Sequence, residues 1–306
     1  MPAPRVAVGP FPSEFAVDAV HGGGGVVVEL DDSPDSLVWL DPHDVDGLRR
    51  WLAEAPGARW VQLPFAGVEK VAEAGLLDAD RTWTCAKGAY AEPVAEHALA
   101  LALAGLRHLP TRVEARSWGI PAGTSLYDQD VTIVGGGGIA TSLLEQLAPF
   151  RVRATVVRRS GRPVPGAARV VPVEALHDAL SGALVVVLAL ALTPETTGII
   201  ARPELEAMGS SSWLVNVARG RHVVTDALVA ALDDGAIGGA ALDVTDPEPL
   251  PDGHPLWRRP NCIITPHTAD TIEMVLPLLA DRIRANVERL ADGRPPVGQV
   301  DVGAGY

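Results

Sequence analysis

Apolar runs of strand length alternate with amphipathic helical stretches along the whole chain. The first series comprises RVAVG (5–9), GVVVEL (25–30), SLVWL (36–40), RWVQLP (59–64) and TWTC (82–85), with helical patterns at 45–55 and 68–74. The second comprises VTIV (131–134), RATVV (153–157), ALVVVLAL (183–190), WLVNV (213–217), GAALDV (239–244) and CIIT (262–265). Near-continuous apolar runs of this kind belong to strands covered on both faces, and their alternation with helices predicts βαβ units and parallel sheets. Between the two series, EPVAEHALALALAGLRHLP predicts a long helix stopped by Pro110. Its apolar stretch, 98–106, is far short of the ~18 to 20 residues of a membrane span and reads as a buried helix. A Pro/Gly/Ser-rich crossing follows at 117–125, and a last helix at 271–291 returns to the first lobe. The expected fold class is α/β: a six-stranded Rossmann-type doubly wound parallel sheet plus a smaller flavodoxin-like α/β lobe. The expected boundaries are 1–100 and 272–306 for the discontinuous smaller lobe and 101–271 for the dinucleotide-binding domain.

The chain has 306 residues, enough for about two domains. With 25 Lys and Arg against 38 Asp and Glu, its net charge of −13 argues against nucleic-acid binding and against an anionic membrane surface. A small anionic substrate remains compatible, because one local arginine overrides the global sign. Cys85 and Cys262 offer neither a disulfide framework nor a zinc spacing, and no metal is expected. The N-terminal stretch lacks the apolar core of a signal peptide, so a cytoplasmic setting is expected. The seven tryptophans are spread along the chain and read as core or interface anchors.

The segment VGGGGIA (134–140) places Gly135, Gly137 and Ala140 in a GxGxxG/A pattern between a strand and a helix. Gly135 permits a tight turn, Gly137 lets the backbone approach a pyrophosphate, and Ala140 allows close helix–strand packing. Gly138 and Ile139 open the helix, whose free N–H groups face the phosphates. An enzyme selective for NAD carries an acid about 20 residues further on. Here Arg158, Arg159 and Ser160 stand at that place, and the next acid is Glu174. Two guanidiniums and a hydroxyl suit a 2′-phosphate, so NADP(H) is the preferred cofactor and NAD(H) the alternative.

Three polar groups follow apolar strands: Arg219 after WLVNVA, Glu248 after GAALDVTDP, and His267 after CIITP. Strand ends beside a dinucleotide are where such sheets bind ligands. Arg219 would grip a substrate carboxylate and polarise a keto oxygen. His267 would give that oxygen a proton, and Glu248 would orient His267 and raise its pKa.

The strings VGGGGIA (134–140), LTPETTGII (192–200), NVARGRHVVTDALVAALDDGAIGGAALDV (216–244), DPEPLP (246–251) and PNCIITPHTA (260–269), with AGVEK (66–70) and PVAEHALAL (93–101), resemble the D-isomer-specific 2-hydroxyacid dehydrogenase family. The resemblance is weakest in the first ~55 residues. It implies the same roles for Arg219, Glu248 and His267, and it sets Asp243 against the nicotinamide carboxamide. It also implies that the smaller lobe binds the substrate in a cleft between the lobes, that Ala66, Gly67 and Val68 offer backbone N–H groups to the substrate carboxylate, that the helix beginning near Pro93 is a hinge, and that the chain is a homodimer. Glyoxylate- or hydroxypyruvate-like substrates are implied, with an NAD(P)(H)-sensing regulator or a 3-phosphoglycerate dehydrogenase as the alternatives. The sequence departs from the family pattern at Ala191, where Pro is usual, at Arg158, and in the residues after His267 leading to Asp270. Lys87 and Tyr90 line the substrate pocket or a solvated loop, and Trp257 covers the cleft or packs. His97 and His108 are expected to end the buried stretch of their helix.

Overall fold

A computed structural model describes residues 2–303 and 305; positions 1, 304 and 306 of the expected domain ranges lie outside the described residues. In chain order the elements are β1 (Arg5–Gly9), α1 (Glu14–Gly22), β2 (Val26–Val27), β3 (Ser36–Trp39), α2 (Val45–Glu54), β4 (Trp60–Gln62), α3 (Glu69–Glu73), β5 (Thr82–Thr84), α4 (Ala91–Leu106), α5 (Leu109–Glu114), β6 (Asp130–Val134) and α6 (Gly138–Leu147). They continue with β7 (Arg153–Val157), β8 (Arg169–Val171), α7 (Leu176–Leu180), β9 (Val185–Leu188), α8 (Arg202–Met208), β10 (Trp213–Asn216), α9 (Thr225–Asp233), β11 (Gly239–Leu242), β12 (Cys262–Ile264) and α10 (Ile272–Ala291). The chain forms two compact units, residues 1–90 with 271–306, and 91–270.

The first unit is a five-stranded sheet in the order β2-β1-β3-β4-β5, parallel throughout, the flavodoxin-like arrangement. Its core gathers Leu37, Trp39, Val61 and Trp83 from the strands and Leu48, Leu52 and Val71 from the helices. Burying one such side chain stabilises the fold by roughly 1.5 to 3 kcal/mol. The helix α2 starts where the Asp44 carboxylate accepts the Gly47 N–H at 2.7 Å, a side-chain cap for an otherwise orphaned donor. The last helix, α10, packs on α1 and sends Asn286 into the sheet, where its Nδ2 donates to Gln62 Oε1 at 2.9 Å. The apolar run at 25–30 gives only the two-residue edge strand β2. The chain then turns into a 3-10 segment at Leu30–Asp32.

The second unit is a seven-stranded sheet, β12-β11-β10-β9-β6-β7-β8, parallel throughout, a doubly wound dinucleotide fold. Six strands were expected. The seventh, β8, sits at the edge, where one neighbour suffices and its short, half-buried RVV carries little periodic signal. Two other expectations change. The long helix ends before His108, whose φ of +51° leaves the helical region, and Pro110 lies in the first turn of α5, where a missing N–H costs nothing. The unit boundary falls between residues 90 and 91, not at 100, because the whole of α4 packs on α6 and β10. At Gly105 the helix presses so closely on the Trp213 ring that a Cβ would lie 2.3 Å from it.

Of the tryptophans, Trp39, Trp60, Trp83 and Trp213 are buried, whereas Trp118 is 95% exposed. Among the described residues no helix is long and apolar enough to cross a membrane.

Candidate active site

Strand register decides which loops share an edge. In the second unit Val157, Val134, Leu188, Asn216, Leu242 and Ile264 are successive cross-strand partners. The carboxyl ends of β7, β6, β9, β10, β11 and β12 are therefore flush. The glycine loop, Arg158, Arg219, Glu248 and His267 all leave this one edge. The glycine loop after β6 and the loop after β12 are four strand spacings apart, roughly 19 Å.

Gly135 has φ of +118°, and a Cβ on it would lie 2.0 Å from the Ala189 carbonyl oxygen, so only glycine fits. Gly137 is the N-cap of α6 and makes no side-chain cap. A Cβ added there would meet nothing within 4 Å, which leaves open space against the helix's first N–H groups. Gly138 and Ile139 form the first turn of α6, and Ala140 is fully buried behind them. Arg158 folds back over the loop, its Cδ 2.8 Å from where a Gly136 Cβ would stand. Arg159 is exposed and Ser160 half-buried just beyond. An open cradle at a helix N-terminus flanked by guanidiniums fits a dinucleotide phosphate.

Arg219 is set by a turn that Asn216 folds locally. The Asn216 Nδ2 donates to the Arg219 carbonyl at 2.9 Å and its Oδ1 accepts the Ala218 N–H at 3.1 Å. Gly220 then passes so close to the neighbouring loop that a Cβ would lie 1.9 Å from the Thr245 carbonyl oxygen. Glu248 follows in that loop, and its Oε1 lies 2.6 Å from His267 Nδ1. His267 adopts φ of +49°, a left-handed conformation costing a non-glycine residue roughly 1 to 2 kcal/mol. Its N–H donates to the Asp243 carbonyl at 2.8 Å and to the Thr265 carbonyl at 3.0 Å, which offsets that cost.

The hydrogen bond to Glu248 raises the His267 pKa against the opposing effect of burial, while Arg219 lowers it and Asp243 raises it. The same bond holds Glu248 below its ordinary range. Burial pushes Asp243 up, but hydrogen bonds from His97, Thr265 and the Thr268 and Ala269 N–H groups hold it below the ordinary range. Asp270 is raised by burial. The geometry thus offers an acid–base histidine with an oriented ring and an arginine whose charge reaches both members of the pair.

The other expected positions have the following surroundings. Ala66, Gly67 and Val68 belong to the first unit, between β4 and α3, and Cys85 Sγ contacts the Ala66 carbonyl at 3.5 Å. Tyr90 is buried, not solvated, and its hydroxyl donates to the Pro64 carbonyl at 2.5 Å. Lys87 offers its carbonyl to Arg282 of α10 at 3.0 Å. Trp257 pins the loop after Glu248 by donating to the Pro251 carbonyl at 3.0 Å. His97 does not end the buried stretch of α4; its Nε2 lies 3.0 Å from Thr265 Oγ1. Asn216, Gly220, Thr265 and His97 were not foreseen as parts of the site. Only Gly220, directly after Arg219 in NVARG, carries a local signal that could have found it.

The model of the D-isomer specific 2-hydroxyacid dehydrogenase NAD-binding domain matches residues 97–269. The chain belongs to this family. It is an NAD(P)-dependent D-2-hydroxyacid dehydrogenase. A protein encoded in the proB 3′ region of Corynebacterium melassecola is 42% identical over 255 residues, covering 81% of this chain and 84% of that one. Glyoxylate/hydroxypyruvate reductase A of Serratia proteamaculans is 37% identical over 177 residues, 58% of this chain and 56% of the reductase. Among solved structures, a D-isomer specific 2-hydroxyacid dehydrogenase of Xanthobacter autotrophicus, in complex with NADPH and MES, superposes with a TM-score of 0.85 at 26% identity, covering 99% of this chain and 100% of that one.

Proposed function

We propose that this dehydrogenase works as a reductase of small 2-keto acids, glyoxylate- or hydroxypyruvate-like, to D-2-hydroxy acids, with NADP(H) preferred over NAD(H). The observation that carries the reading is the 2.6 Å Glu248–His267 pair on the sheet edge that also bears Arg219 and the glycine cradle. A reduced nicotinamide held by the glycine cradle would supply the hydride for the keto carbon. His267, as imidazolium, gives its Nε2 proton to the keto oxygen and becomes neutral as the hydroxyl forms. Glu248 keeps the Nδ1 proton in place and stabilises the cation before transfer. Arg219 holds the carboxylate through its planar fork and steadies the charge developing on the keto oxygen. In this reading Ala66, Gly67 and Val68 offer backbone N–H groups to the substrate carboxylate, and Asp243 receives the carboxamide.

The cofactor preference rests on Arg158, Arg159 and Ser160, and on the NADPH bound by the Xanthobacter relative. A homodimer is supported by the exposed Leu109, Val113, Trp118 and Ile120, clustered in one short segment. The two free cysteines suit a reducing, cytoplasmic setting.

The test is a panel of 2-keto acids offered with NADPH and with NADH, followed at the reduced-nicotinamide absorbance. The reading expects turnover of small 2-keto acids with a higher kcat/KM for NADPH, and loss of that preference in R158A/R159A. Absence of turnover across the panel refutes the reaction; a clear preference for NADH refutes the cofactor assignment.

A further inference from the structure

His97, near the middle of α4, reaches the loop that carries His267, and the chemistry above gives it no task. Its Nε2 lies 3.0 Å from Thr265 Oγ1 and 3.3 Å from Asp243 Oδ1. The same Asp243 Oδ1 accepts the Thr265 hydroxyl at 2.6 Å and the Thr268 N–H at 2.9 Å, while Oδ2 accepts the Ala269 N–H at 3.1 Å. The Asp243 carbonyl accepts the His267 N–H at 2.8 Å. The whole turn from 265 to 269 is thus suspended from one almost fully buried aspartate.

Counting protons fixes what His97 Nε2 carries. An ionised carboxylate only accepts, so the single Thr265 hydroxyl proton goes to Asp243. Toward His97 that hydroxyl can then only accept. Both oxygens facing the ring are acceptors, and Nε2 must carry a hydrogen.

We propose that His97 is a positioning residue whose Nε2–H, shared between Thr265 and Asp243, locks the turn that aims His267 at the substrate. The inference rests on the proposed proton transfer, since aiming His267 matters for turnover only if His267 delivers the proton. Removal of His97 acts through Asp243 in two ways. The carboxylate loses a donor and is freer to rotate, which loosens the left-handed His267. Its ionised form also loses support, and with it part of the negative field that favours the imidazolium.

The test uses the full chain and two kinds of readout. Long-range proton–nitrogen spectra of the histidine-labelled protein, with His97 assigned by the signal lost in H97Q, report its tautomer without any turnover. A protonated, pyrrole-type Nε2 is expected; a pyridine-type Nε2 overturns the proposal. For turnover, H97L removes the donor, and H97Q restores an amide N–H at the place of Nε2. H97L is expected to lose roughly ten-fold or more in kcat with the keto-acid KM within about two-fold, and H97Q to recover most of it. Wild-type kcat in H97L, or an H97Q no better than H97L, overturns the proposal even if both fold normally. Absence of turnover in the wild-type protein sinks the reductase reading instead, and the tautomer measurement then decides this one alone.

Discussion

Replacing Gly220 with alanine tests whether the two loops that carry Arg219 and Glu248 hold each other in place. The added Cβ would stand 1.9 Å from the Thr245 oxygen, 2.0 Å from its carbonyl carbon and 2.6 Å from the Asp246 nitrogen. All three are backbone atoms, so no side chain can swing aside. Ordinary contact begins at about 3.4 Å, and one loop must retreat by roughly 1.5 Å. Arg219 immediately precedes the new methyl, and Glu248 follows Thr245 by three residues, so the retreat separates the arginine from the Glu248–His267 pair. A displacement of about 1 Å in a reacting constellation costs on the order of 100-fold, or about 2.7 kcal/mol of transition-state stabilisation. Overpacking of this kind also costs roughly 1 to 3 kcal/mol of stability. The assay pairs kcat/KM for a 2-keto acid with thermal unfolding and with nucleotide affinity by fluorescence. The expected result is a kcat/KM about 100-fold lower, a modest fall in Tm, and nucleotide affinity within about two-fold, because the glycine cradle lies two strands away. An alanine variant with wild-type kcat/KM and Tm would show that the two loops do not constrain each other.

Four further outcomes follow from the same edge of the sheet. In G137A the methyl enters open space, so the melting temperature should match wild type while nucleotide affinity falls several-fold; a matching fall in both would place Gly137 in the scaffold rather than the binding cradle. H267Q should lower kcat by about 100- to 10,000-fold with nucleotide affinity preserved, read by turnover and fluorescence titration. The raised pKa of His267 keeps the imidazolium present to higher pH, so keto-acid reduction should fall as pH rises through that pKa. E248Q removes the principal cause of the shift and should move this alkaline limb toward lower pH; a limb that stays put would assign it to another group. The same pair stabilises the fold only while both members are charged. Its contribution is lost as pH falls through the lowered pKa of Glu248 or rises through the raised pKa of His267.

Much of this molecule is legible along the chain because the information is local. A strand covered on both faces must be apolar at every position, so VTIV, VVVL and WLVN declare themselves. A strand–turn–helix phosphate cradle must contain glycine where a Cβ would strike Ala189, so GGGG is informative in its context. Arg219, Glu248 and His267 are visible as polar residues directly after such strands. What pairs with what is different, because it depends on sheet order and register. Glu248 and His267 are 19 residues apart in sequence, and His97 and Thr265 are 168 apart. Only the flush ends of β11 and β12 bring the first pair together, and only the packing of α4 across that sheet lets His97 reach Asp243. The edge strand β8 escapes the pattern for a related reason. An edge strand owes its pairing to a neighbour already in place, not to an apolar run of its own.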